Sequence, residues 1–118
     1  MQTPTQKFWD LRLQSCQAAL EKNNFEAFIA PTPVAAGQIV IDQILPQIDV
    51  KSVSWGDSLT LHESGILKFF KGNPAFGLIE TFDEQVPRAE IIERRRKALL
   101  SDLFFSGTNA VVEFGVLV

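Results

Sequence analysis

At 118 residues the chain is one domain at most, long enough for a single core but near the lower end for a doubly wound fold. Its apolar fraction is ordinary and its net charge only −3, which argues against nucleic acid or an anionic membrane as a partner recognised by bulk charge. No apolar run approaches the roughly 20 residues of a membrane span, and residues 1–10 lack the basic start and hydrophobic core of a signal peptide, so the chain reads as cytoplasmic.

Thr3, with Pro4 at the first helical position and Gln6 three residues on, predicts a capped helix over about residues 1–24, in which Phe8, Leu11, Cys16, Ala19 and Leu20 share a face. Cys16 is the single cysteine, so no disulfide framework exists, and one thiolate cannot hold an iron–sulfur cluster that needs about four. It reads as a small buried hydrophobe on that helix. Residues 25–30, apolar and stopped by Pro31 and Pro33, predict a first strand that opens an α/β core over residues 25–118.

A helix over residues 34–45 follows, weakened by Gly37 and ended by Pro46. The alternating residues 50–55 predict a second strand, residues 58–70 a helix, Gly72-Asn73-Pro74 a turn and residues 76–82 a third strand. Pro87 starts a long helix to about Leu100, and residues 103–106 form a fourth strand. This alternation predicts a mostly parallel sheet with helices on both faces. Residues 110–112 and 116–118 flank Glu113-Phe114-Gly115 as a hairpin, whose last apolar strand needs a cover from a second copy or from further chain.

Two strand ends carry loops rich in backbone donors and hydroxyls, where a parallel sheet binds ligands. At Gly56-Asp57-Ser58 the strand turns into a helix whose first amides, helped by the Ser58 and Thr60 hydroxyls, suit an anion; the competing reading is that Asp57 or Ser58 only caps the helix. No Gly-Lys-Ser/Thr ending makes this a nucleotide loop. Gly107-Thr108-Asn109 offers a second set of donors, or simply a tight turn. Arg95 and Arg96 lie four residues from Ile91, Ile92, Leu99 and Leu100, beside an apolar stripe, so their guanidinium groups either snorkel to the rim or meet a carboxylate. Glu90 with Arg94, and Glu93 with Lys97, read instead as i, i+4 pairs on a solvated face. Glu113 is the one carboxylate near the Gly-rich turn, suited to acid/base or nucleophilic work or to a hairpin surface. His62 has no Cys or second His at ligand spacing, so no metal site is expected.

These residues also carry a resemblance. W-G-D-S-x-T-L-x-E-x-G from Trp55 to Gly65, R-R-R-K-A-L-L-S-D-L-F-F-S-G-T-N-A-V from Arg94 to Val111, and the x-E-x-G-x-L-V that follows resemble the lactate-utilization (LUD) domain family. Family members usually carry Thr-Glu-Asp-Gly in the hairpin where this chain has Val112-Glu113-Phe114-Gly115, and they continue through further strands, so the chain is expected to be an incomplete domain truncated at its C-terminal end. The resemblance implies the fold group of sugar-phosphate isomerases and CoA transferases. It implies a subunit or accessory protein of bacterial L-lactate oxidation to pyruvate, binding a small carboxylate, acyl or phosphate-like ligand near Gly56, Asp57, Ser58, Thr60, Arg95, Arg96, Gly107, Thr108 and Asn109. Any iron–sulfur cluster would belong to a partner subunit, and the chain would form a homo-oligomer. Two alternatives stay open: an independent isomerase or acyl-transfer enzyme using Glu113, and a non-catalytic, oligomerising ligand-binding module.

Overall fold

The first helix, α1 (Pro4–Lys22), begins as the sequence predicts: the Gln6 amide donates to Thr3 Oγ1 while the Gln6 side chain accepts from the Thr3 amide. It ends at Asn23, beyond which Asn24 takes a left-handed backbone with φ 68°. The computed structural model describes all residues, Met1–Val118, and divides into two units. Unit 1 comprises Met1–Pro31 and Thr108–Val118; unit 2 comprises Thr32–Gly107.

In unit 1, α1 has no fully buried residue, and Phe8 and Leu11 of its expected apolar face are more than half exposed. Cys16 is half-buried. The strand expected at residues 25–30 does not form. A run of apolar residues supplies the propensity for a strand but not a partner, and this segment is tied down by other means: the Phe25 amide donates to the Leu20 carbonyl, and the Gln17 side chain donates to the Ala27 carbonyl. The expected hairpin is present as β4 (Val111–Val112) paired antiparallel with β5 (Val116–Leu117). Its turn glycine, Gly115, has φ 92°, and a Cβ there would lie 2.6 Å from the Ala19 carbonyl oxygen, so the turn seats directly on α1. The Asn23 side chain completes that seat by donating to the Gly115 carbonyl.

Unit 2 holds the parallel sheet, in the order β2-β1-β3, flanked by helices. Its strands are β1 (Ser52–Trp55), β2 (Gly77–Ile79) and β3 (Leu103–Phe105). As the central strand, β1 is covered on both faces, and Val53, Ser54 and Trp55 are all buried. The buried Ser54 hydroxyl is satisfied by the Ile79 carbonyl at 2.8 Å. At the amino edge, Asp102 Oδ2 accepts from the Lys51 and Ser52 amides, which holds its carboxyl below the usual carboxylate range.

The helices of unit 2 depart from simple expectation in two places. The second helix, α2 (Pro33–Ile39), is capped by Thr32 and does not stop at Pro46; it widens into a π turn over Val40–Ile44 and then tightens into a 3-10 turn, Leu45–Gln47, which takes Pro46 in its first turn. The single helix expected over residues 58–70 is two, α3 (Leu59–Glu63) and α4 (Ile66–Lys71), because Gly65 turns left-handed at φ 78°. The Ser64 hydroxyl spans the break, donating to the Leu61 carbonyl and accepting from the Ile66 amide. Leu61, Ile66, Leu67 and Phe70 from these helices pack with Val53 and Trp55 to make the core. Phe70, 1% exposed, meets Phe76 edge-on with ring centroids 4.8 Å apart. The last helix, α5 (Arg88–Ala98), follows Pro87 as expected.

Candidate functional site

The parallel register brings the carboxyl ends of β1, β2 and β3 to one edge of the sheet. Gly56 continues the β1–β3 ladder, its amide donating to the Phe105 carbonyl at 2.8 Å, so the loop after β1 and the loop after β3 run side by side. They then touch: a Cβ on Gly107 would lie 3.0 Å from Ser58 Oγ. The sequence-predicted residues Gly56, Asp57, Ser58 and Gly107 are therefore neighbours, and Ser106 stands with them. Thr108 and Asn109 belong to unit 1, where the Asn109 amide donates to the Val118 carbonyl.

Ser58 is occupied in part by a local duty, since its Oγ accepts from the Leu61 amide as the N-cap of α3. That helix has only five residues, which gives it little dipole to hold an anion, so any ligand there relies on the loop amides and hydroxyls. Asp57 and Thr60 are exposed. His62 is exposed on α3, and no group of three or more His, Cys, Asp or Glu side chains comes together as a metal site.

The arginines of α5 differ from the sequence reading. Arg95 and Arg96 are both exposed, and Arg96 bonds only to Glu93 on its own helix, at 3.5 Å. The half-buried arginine is Arg94, which donates to the Glu80 carbonyl at 3.2 Å while holding Glu90 at 3.1 Å. The apolar stripe assumed for this helix is absent: Leu99 and Leu100 are each 85% exposed, and the inward face runs Ile91, Arg94, Ala98. Spacing fixes which residues share a helical face but not which face the sheet covers. Arg95 still reaches the carboxyl end of β2, where it borders an open cleft with Thr81, Asp83, Arg88 and Ile91.

Glu113, the candidate acid/base, forms an ion pair with Arg12 from α1. The Arg12 guanidinium lies over two aromatic rings, 4.8 Å from the Trp9 centroid and 5.5 Å from that of Phe8. Both members of the pair border a cavity of about 300 Å³ within unit 1. Arg12 was not among the residues that the sequence singled out. Its partner is 101 positions away, and no local spacing reports such a pair.

The sequence model of the LUD domain family matches residues 13–118. No curated protein and no solved structure matches the chain.

Proposed function

The chain belongs to the LUD domain family, and we propose that it serves in bacterial L-lactate utilization, the oxidation of L-lactate to pyruvate, as a subunit or accessory protein that holds a small carboxylate or acyl ligand. The family membership implies the pathway. The observation that carries the ligand reading is the meeting of Gly107 with Ser58 at the carboxyl edge of the sheet, which gathers loop amides and the Ser58 hydroxyl where open parallel sheets bind ligands, while the Ser106 hydroxyl beside them donates to the Gly107 carbonyl. A carboxylate accepts several hydrogen bonds and suits such a set of donors. Arg95 is exposed at a cleft beyond the carboxyl end of β2, lined also by Asp83 and Glu84, and its part in holding the ligand is a proposal tested by its own variant.

The residues present do not fit an iron–sulfur cluster: Cys16 is the single thiol. Electrons from lactate would therefore leave through a separate partner subunit. Glu113 is engaged by Arg12, and an acid/base role for it is not part of this reading.

Amide NMR titration of the full chain with L-lactate and with pyruvate tests the proposal. Shifts concentrated at residues 56–58 and 106–107, and reduced in Ser58→Ala, are the expected result. No saturable shift with either compound, or shifts confined to other residues, would overturn it.

A further inference from the structure

The cavity in unit 1 is walled by Trp9, Leu13, Cys16 and Leu20 from α1, by Phe28 and by Val111. The four α1 residues follow the i, i+4, i+7, i+11 spacing of one helical face. This face borders the cavity, and α1 has no fully buried residue. At about 300 Å³ the space is at the small end of the range for small-molecule sites, and such sites pair an apolar wall with few polar groups.

The polar groups decide what fits. Gln17 has its amide committed to the Ala27 carbonyl at 2.8 Å. Arg12 is bound to Glu113 Oε1 through Nε and Nη2, which leaves Nη1 and one hydrogen of Nη2 free on the other edge of the guanidinium. The Phe8 and Trp9 rings, with centroids 5.5 and 4.8 Å from the guanidinium carbon, stack beside it. The pocket thus offers an apolar wall with two unbonded guanidinium donors beside it, a set that a carboxylate can accept in bidentate fashion, and Glu113, already paired with Arg12, is the other charged group of the lining.

We propose that this cavity binds a monocarboxylate with a medium-chain or aryl apolar body, the body filling the space between α1 and residues 27–29 and the carboxylate bonding the free edge of Arg12. All of its lining residues belong to unit 1, and it does not depend on the lactate reading. L-lactate itself has no apolar body to fill the space.

Calorimetric titration of the full chain with octanoate, octan-1-ol and octylamine tests this. Octanoate should bind at least about ten-fold more tightly than the alcohol or the amine, with an Arg12→Gln variant reducing octanoate to the level of the alcohol. A Leu13→Trp variant, which fills the cavity, should abolish binding of all three. Absence of octanoate binding, equal or tighter binding of octylamine, or octanoate affinity unchanged in either variant would overturn the proposal. The comparison of ligands on the unmodified chain decides the matter even if a variant folds poorly.

Discussion

Asp102 and Ser52 are bonded to each other in both directions where two paired strands begin: the Ser52 amide donates to Asp102 Oδ2 at 3.1 Å, and the Asp102 amide donates to Ser52 Oγ at 2.9 Å. The Lys51 amide adds a third bond at 2.9 Å. Because these amides favour the charged carboxylate, the folded state holds the Asp102 pKa below its unfolded value. The resulting stability is present above the unfolded value of about 3.9 and is lost as the pH falls through the lower folded value. An Asp102→Asn variant should therefore be less stable than the parent at about pH 7, with the difference shrinking toward about pH 3. Urea midpoints measured across that range check it; a difference independent of pH would contradict the assignment.

Gly37→Ala should destabilise the fold by about 1 to 3 kcal/mol through overpacking. The added methyl would sit 2.2 Å from the Ser64 carbonyl oxygen, a backbone atom that cannot turn aside. The same substitution in an open helix would be favourable, because alanine loses less backbone entropy on folding. The sign of the change in denaturation midpoint therefore reports whether α2 and α3 approach this closely.

Replacing Arg94 with Ala should cost about 1 to 3 kcal/mol, since the side chain is half-buried and bonded to the Glu80 carbonyl. Arg95→Ala should change stability by no more than about 0.5 kcal/mol. The pair of denaturation curves separates the structural arginine from the exposed one. If Arg95 binds ligand as proposed, its variant should lose lactate affinity at nearly full stability.

The hairpin predicts association. Val116, Leu117 and Val118 are all exposed, and β5 is paired to β4 alone. An apolar strand with one open edge favours pairing with another copy. Light scattering at low micromolar concentration should show a dimer or larger species, and Leu117→Lys should shift it toward monomer. A monomer in the parent chain would count against it.

Local signals were legible where the cause is local. The Thr3–Gln6 capping box, the Pro87 start of α5, the hairpin around Glu113 and the alternation that makes the parallel sheet all follow from residues within a few positions of one another. The errors have a common physical origin in tertiary pairing. Residues 25–30 have the composition of a strand, but a strand exists only with a partner. Arg94, Arg95 and Arg96 differ by 100° steps on one helix, and only the position of the sheet decides which is covered. At the candidate sites the contrast is similar. The Gly56-Asp57-Ser58 loop was readable because strand, turn and cap are contiguous, whereas the Arg12–Glu113 pair joins residues far apart in sequence.

The order β2-β1-β3 also governs how the sheet can assemble. Pairing β1 with β2 closes a loop of about 25 residues, as the Ser54–Ile79 bond shows, whereas pairing β1 with β3 closes one of about 50, as Ser52 and Asp102 show. Doubling a loop adds only about 0.6 kcal/mol of closure entropy, but neither contact is local, so folding must meet that cost before the strand contacts reward it. The nearer pairing has the smaller closure cost, so β1–β2 is expected to form before β3 docks beside Asp102; slower folding in a β2 variant than in a β3 variant of equal stability is the measurement that checks it.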